Sequence, residues 1–392
     1  MNPVYIVSGV RTAIGDFGGS LKDHAPADLG ALVIAEAVRR AGLGPDDVGH
    51  VVVGQVIQTV PQDAYLSRVA ALKAGIPART PALTLNRLCG SGVEAIVSAA
   101  RAVALGEVDI AIAAGAEVMS RAPHHVAALR FGRKMGDAAM VDALVTTLSD
   151  PIDGYHMGIT AENVARDHHI TRERQDALAA ESHRRAAQAE AEGRFKSQIL
   201  PVTVKDGRKT REFARDEHVR AENDVAAMAA LRPAFQQDGT VTAGNASGIN
   251  DGAGAVVLCS AEALTQRGLT PLGRIVSWGH AGVAPSHMGL GPVEAVPIAL
   301  QRAGLTLDQI DVIESNEAFA AQACAVSQLL GFDPAKVNPN GSGISLGHPV
   351  GATGVILTVK ALYELARIEG RYALVTMCIG GGQGIAMVVE RS

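Results

Sequence analysis

Aromatic residues are scarce in this 392-residue chain: Phe, Trp and Tyr together make up 3% of it, with one tryptophan. Positive charge is no more plentiful, because 35 Lys and Arg are outnumbered by 40 Asp and Glu, for a formal net charge of −5. Nucleic-acid binding usually needs a basic face and often aromatic platforms on which bases stack, so both shortages argue against it. Long apolar runs are missing too: charged or polar residues interrupt every stretch that approaches the roughly 20 residues of a membrane helix. The stretch Met1-Asn2-Pro3-Val4-Tyr5-Ile6-Val7 lacks the basic segment and apolar core of a secretory signal. Four cysteines in so long a chain fit a reducing compartment, where thiols stay free. The expectation is a cytoplasmic protein with neither a nucleic-acid nor a membrane partner.

Glycine, by contrast, is abundant at 43 residues, and hydrophobic residues reach 47%. That composition describes an α/β protein with a large core, and the length allows two or three domains or one duplicated fold. Charge is spread unevenly. Residues 119–249 hold 18 Lys/Arg and 18 Asp/Glu, so this middle third is expected on the outside of the fold. Its basic stretch, Lys205, Arg208, Lys209, Arg211, Arg215 and Arg220, reads mainly as a solvated face of mixed sign, with room for a small polyanionic ligand.

An internal repeat organises the rest. Ala41-Gly42-Leu43-Gly44-Pro45-Asp46-Asp47-Val48 matches Ala303-Gly304-Leu305-Thr306-Leu307-Asp308-Gln309-Ile310, each preceded by a helical pattern and followed by a strand-like one. About 40 residues on, each copy reaches a glycine-rich junction before a small-residue helix: Cys89-Gly90-Ser91-Gly92 in the first, His348-Pro349-Val350-Gly351-Ala352-Thr353-Gly354 in the second. Val108-Asp109-Ile110-Ala111-Ile112 then pairs with Tyr372-Ala373-Leu374-Val375-Thr376, both buried-strand patterns. Two homologous α/β halves follow, with 119–249 inserted into the first. Cys89 and His348 occupy equivalent places, and Pro349 suits the first turn of a helix. Two helix N-termini pointing into one cleft would lower the thiol's pKa and give it a base.

Cys89 and Cys378 each sit among glycines, Gly90-Ser91-Gly92 and Gly380-Gly381-Gly382-Gln383-Gly384, where something must approach the backbone closely. Around Cys378 a tight loop offering N–H groups to an oxyanion explains the pattern. Cys259 and Cys324 lie in apolar or alanine-rich stretches and read as structural. The pairs His124-His125 and His168-His169 lack ligand spacing, so no catalytic metal is expected. Asn316, in Ser315-Asn316-Glu317-Ala318-Phe319, is open to two readings, a helix N-cap or the holder of a water in the cleft. Gly341-Ser342-Gly343 matches neither a dinucleotide fingerprint nor a phosphate loop.

Four blocks, Asn86-Arg87-Leu88-Cys89-Gly90-Ser91-Gly92, Ser315-Asn316-Glu317-Ala318-Phe319, Asn338-Pro339-Asn340-Gly341-Ser342-Gly343 through Gly347-His348-Pro349-Val350-Gly351-Ala352-Thr353-Gly354, and Cys378-Ile379-Gly380-Gly381-Gly382, resemble those of thiolases. The similarity runs the length of the chain and looks closest to bacterial acetyl-CoA acetyltransferases and broader β-ketothiolases. The resemblance implies duplicated βαβαβαββ halves in a five-layer α-β-α-β-α arrangement with an inserted loop domain. The boundaries expected are 1–118 plus 250–270 for the N-terminal half, 119–249 for the insert, which would bind coenzyme A, and 271–392 for the C-terminal half.

It further implies that Cys89 is acylated, that His348 takes its proton, and that Cys378 moves the α-proton of a second acetyl-CoA. His348 and a water on Asn316 would face the enolate oxygen, and the N–H groups of Cys89 and Gly380 the tetrahedral intermediate. Coenzyme A and acyl-CoA would enter as substrates, with no permanently bound cofactor. Ser247, His156, Arg220, Leu148, Phe235 and Ala243 are the implied coenzyme A contacts, with Met157, Met288 and Phe319 at the acyl end. Position 227 is alanine where related enzymes can carry a serine near the adenine. Residues 120–136, with Arg121, Arg130, Arg133 and Lys134, would form the arm of a homotetramer built as a dimer of dimers. Two other classes share parts of this pattern: decarboxylating ketoacyl synthases, which need no base like Cys378, and non-catalytic acyl-CoA or lipid-binding relatives, which would have lost one of Cys89, His348 and Cys378.

Overall fold

The computed structural model describes residues 2–392. The first half contributes β1 (Val4–Thr12), α1 (Pro26–Arg40), β2 (His50–Gly54), β3 (Ala82–Leu85), α2 (Ser91–Ala104) and β4 (Ile110–Val118). The long segment that follows carries α3 (Met157–Asp167) and α4 (Arg172–Ala191), and β5 (Asn250–Ser260) returns to the first half. The second half runs β6 (Gly273–Gly282), α5 (Gly291–Ala303), β7 (Val312–Ser315), α6 (Ala320–Leu330), α7 (Thr353–Ile368), β8 (Tyr372–Ile379) and β9 (Gln383–Arg391).

Strand pairing repeats between the halves. The order β3-β2-β4-β5-β1 is parallel at β3/β2 and β2/β4 and antiparallel at β4/β5 and β5/β1. In the second half Val337, β7, β8, β9 and β6 follow each other with the same sequence of orientations. Antiparallel pairing of Val4–Ile6 with Gly273–Ile275 joins the two sets edge to edge. The duplication read from three short sequence matches is therefore a duplication of topology.

Helix burial sets the layers. α2 and α7 are apolar around nearly their whole circumference (Val93, Ile96, Val97, Ala100; Val355, Ile356, Val359, Leu362), which only a middle layer tolerates. Both are flanked by strands of the two halves and touch each other. α1 covers β1, β4 and β5 on one outside, and α5 covers β6, β8 and β9 on the other. The five layers are helix, sheet, helix, sheet, helix. A buried ion pair, Lys360 to Glu314 at 2.8 Å, ties α7 to β7, and burial pushes the Glu314 carboxyl up to about 7.

The charge-dense segment is less external than its composition implied. Ile199 and Leu200 pair in parallel with Arg11 and Thr12 of β1. Phe195, Ile199, Val202 and Phe213 are buried in the first half's core, and Arg11 and Asp216 form a fully buried ion pair at 2.8 Å. The mixed-sign charges are there, on the outer faces; the apolar residues interleaved with them anchor the segment. Among the described residues, no helix is long and apolar enough to cross a membrane.

Candidate active site

Cys89 sits in the turn between β3 and α2. Leu88 adopts a left-handed conformation (φ 47), unusual for a branched side chain and costing about 1–3 kcal/mol. Local hydrogen bonds hold the turn: the Leu88 N–H donates to Asn86 Oδ1 at 2.8 Å, the Arg87 N–H donates to Ser91 Oγ at 2.9 Å, and Ser91 Oγ donates to the Leu88 carbonyl at 2.7 Å. The surrounding glycines have a different purpose from the one expected. A Cβ on Gly90 would lie 2.5 Å from Ile379 Cδ1, one on Gly92 2.6 Å from the Val355 nitrogen, and one on Gly354 2.3 Å from the Val93 nitrogen. Gly92 and Gly354 let α2 and α7 cross backbone to backbone, so these glycines admit a helix and no substrate.

The loop after Cys378 is a hairpin turn. Ile379 pairs with Gln383, and Gly381 and Gly382 take φ values of 79 and 85, which glycine adopts without strain. That turn brings the Gly380 N–H to the Cys89 side of the cavity, where it and the Cys89 N–H favour the thiolate. Burial nevertheless pushes the Cys89 thiol up, outweighing both donors. Desolvation in the resting site therefore acts against the lowering expected from a helix terminus, although Cys89 is only half-buried where it faces the cavity.

His348 lies five residues ahead of α7, not at its start. Pro349 precedes the helix instead of occupying its first turn, and its carbonyl accepts the N–H groups of Ala352 and Thr353 at 2.8 and 3.0 Å. Burial lowers the His348 pKa to about 4, so the imidazole is neutral near pH 7 and ready to accept a proton. Asn316 is no N-cap, since α6 begins at Ala320 with Phe319 in the cap position. Its Nδ2 is 3.3 Å from His348 Nε2, and its buried Oδ1 has no protein partner, which fits a group that holds a water. Cys378 is fully buried, and desolvation foremost, with the neighbouring Cys89 second, drives its pKa far up.

A cavity of about 400 Å³ opens onto Cys89, His348 and Gly380. Its wall brings together eight of the expected coenzyme A and acyl contacts, Leu148, His156, Met157, Phe235, Ala243, Ser247, Met288 and Phe319. His156 caps α3, its Nδ1 accepting the Gly158 N–H at 3.0 Å, and stacks on Phe235 at 4.7 Å between centroids. Phe235 meets Phe319 edge-on at 6.1 Å. Arg220 is not on the wall; its guanidinium donates to Asp16 at 3.0 Å and to the Glu217 carbonyl at 3.2 Å. Asn316 and Cys378 stand behind the wall, Cys378 packed among residues that include Met157, Met288 and Phe319.

Several contributors had no legible signal. Val56, Val350 and Ile249 complete the wall. Glu117, buried on β4, accepts the N–H groups of Val56, Ile57 and Gly351, and so clasps the walls on both halves; burial pushes its carboxyl up to about 8. A glutamate inside an apolar strand is the one sequence clue to it. Cys259 and Cys324 are buried with thiols raised to about 11, as structural residues should be. His124 and His125 are exposed on a two-residue strand, and His168 and His169 close the end of α3. Among the described residues no three His, Cys, Asp or Glu side chains gather as a metal-holding group.

Comparison with known proteins places the whole chain. Residues 4–262 match the thiolase N-terminal domain and residues 269–391 the thiolase C-terminal domain. A beta-ketothiolase, BktB, of Cupriavidus necator is 62% identical over 389 residues, covering 99% of each chain. An acetyl-CoA acetyltransferase of the same organism is 48% identical over 393 residues, covering 100% of both. Human mitochondrial 3-ketoacyl-CoA thiolase superposes with a TM-score of 0.98 at 42% identity, covering 100% of this chain and 99% of that one; its complex with CoA gives 0.96.

Proposed function

The chain belongs to the thiolase family, and from that premise we propose how its residues divide the labour of the reaction. It is an acyltransferase that catalyses the thiolase condensation of acetyl-CoA with an acyl-CoA to a 3-ketoacyl-CoA. In our reading the reaction is ping-pong. Neutral His348 takes the Cys89 proton, and the thiolate attacks the acyl-CoA carbonyl. The N–H groups of Cys89 and Gly380 receive the oxyanion, and coenzyme A leaves an acyl-Cys89 behind. Cys378 yields a proton to the departing sulfur and, as thiolate, takes the α-proton of a second acetyl-CoA. The enolate, facing His348 and the Asn316 water, attacks acyl-Cys89. The single observation that supports this division most is the one apolar cavity onto which Cys89, a neutral His348 and Gly380 all open.

Coenzyme A would lie along His156, Phe235, Ala243, Leu148 and Ser247, with the acyl group towards Met157, Met288 and Phe319. Arg220 would reach a phosphate only by leaving Asp16. The activity test is thiolysis of acetoacetyl-, 3-ketovaleryl- and 3-ketohexanoyl-CoA, followed by loss of 3-ketoacyl-CoA absorbance. The flexible thioethers of Met157 and Met288 favour turnover of all three, with neighbouring members of the series differing by at most about 10–200-fold because one methylene is worth about 1–3 kcal/mol. Turnover of acetoacetyl-CoA alone would restrict the substrate to the shortest chain, and no turnover would end this reading.

Assembly is part of the proposal. Between the paired strands His124–His125 and Val141–Asp142 the chain carries Phe131, 96% exposed, and Met135, 89% exposed. Such apolar tips suit burial against another copy. β3, paired on one side only, leaves a bare sheet edge for a second contact, as a dimer of dimers requires. Replacing Phe131 and Met135 by aspartate is expected to convert a tetramer to dimers in sedimentation velocity while thiolysis persists; unchanged mass would refute the arm's role. Four free cysteines support a cytoplasmic setting. The 119–249 segment remains, in this reading, the coenzyme A-binding insert between the 1–118 plus 250–270 half and the 271–392 half.

A further inference from the structure

Counting protons around His348 decides which ring nitrogen is free. Thr353 Oγ1 lies 2.7 Å from His348 Nδ1 and 2.9 Å from the Pro349 carbonyl oxygen. A carbonyl can only accept, and a hydroxyl has one proton to give. The Thr353 proton is therefore committed to Pro349, and towards His348 the hydroxyl acts as acceptor. Nδ1 must carry the N–H, which leaves Nε2 as the lone pair. At the other end of the ring Asn316 presents Nδ2, a donor, to that same Nε2 at 3.3 Å. The two ends agree. The backbone is held as well: the His348 N–H donates to Asn250 Oδ1 at 2.9 Å. Gly347, at φ 107, permits that approach, since a Cβ there would lie 2.5 Å from Asn250 Cγ.

We propose that Thr353 is a positioning residue for the acyl transfer: its hydroxyl, anchored on Pro349, holds His348 in the Nδ1–H tautomer so that Nε2 takes the Cys89 proton and later returns it. This deepens the roles assigned above to Cys89 and His348 and rests on them. Thr353 is 2% exposed, so no solvent competes for the bond. The orienting group is a neutral hydroxyl, where a carboxylate would favour the charged imidazolium at rest. During the step the imidazolium donates from Nδ1 to Thr353 while Nε2 carries the transferred proton, and no other proton need move.

The test compares Thr353→Ser, which keeps the hydroxyl, with Thr353→Val, which keeps the shape. Two readouts are taken on proteins checked for folding by circular dichroism: the rate of Cys89 alkylation by iodoacetamide without any CoA compound, and kcat and KM for acetoacetyl-CoA thiolysis. Serine is expected to stay within about threefold of the parent. Valine is expected to lose about tenfold to a hundredfold in alkylation rate and kcat, with KM little changed, as when the orienting partner of a functional histidine is removed. Valine reacting at the parental rate would overturn the proposal, as would serine losing as much as valine. Should the valine protein not fold, Thr353→Ala carries the same expectation. Failure of the thiolase reading is distinguishable: the parent would then lack thiolysis while the serine–valine contrast in alkylation persisted.

Discussion

Replacing Cys378 by serine is expected to stop condensation while Cys89 still becomes acylated. A serine hydroxyl is a far weaker acid than a thiol and cannot serve as the alkoxide base for a thioester α-proton, so the second half-reaction should fall by about 10²–10⁴ or more. The first half-reaction keeps Cys89, His348 and the two N–H donors, and loses only the proton that Cys378 gives to the departing sulfur. The departing coenzyme A thiolate manages without a proton donor near pH 8.5, the ordinary thiol pKa. The fit is close, because the thiol is fully buried and oxygen is the smaller atom. Incubating the variant with radiolabelled acetyl-CoA should label the protein stoichiometrically, whereas acetoacetyl-CoA formation should be undetectable. Equal loss of labelling and condensation would refute the separate roles of the two cysteines.

Substituting His348 by asparagine should depress both half-reactions. Without the imidazole nothing beside Cys89 accepts its proton, and burial already holds the thiol above its ordinary pKa. Acylation should slow by about 10²–10⁴, the usual worth of a positioned general base. The pH profile makes a second demand. Burial lowers the His348 pKa to about 4, so the base stays unprotonated well below the ordinary value of 6.5. On acidification from pH 7 to 5.5, kcat/KM of the parent should show no titration belonging to His348. An acid limb near 6.5 that disappears in His348→Asn would show that the imidazole is solvated in the working enzyme, contrary to its burial here.

The site was legible in sequence where chemistry demands a rare residue in a rare setting. Cys89 and Cys378 stood out because glycines crowd both, and His348 because it comes shortly before the central helix of the second half, as Cys89 does in the first. Even there the reasons were partly different. Gly90 and Gly92 make room for Ile379 and α7, and Gly381 and Gly382 serve a hairpin turn. Only Gly380 meets the expectation of an N–H donor at the reacting sulfur. The middle segment was misjudged because average charge hides the alternate apolar residues, such as Phe195 and Phe213, that bury it.

By itself, the sequence determined the α/β class, the duplication and the residue types able to perform acyl transfer. Those follow from composition, periodicity and the intrinsic reactivity of thiol and imidazole, which are properties of short segments. Tertiary structure alone decided the protonation of the site. How strongly desolvation pushes the Cys89 thiol up depends on how much protein surrounds it. Which nitrogen of His348 is free depends on Thr353, Pro349 and Asn316, brought together by the turn before α7 and the end of β7. Electrostatic free energies depend on the whole surrounding volume, and that volume exists only once both halves have closed around the two central helices.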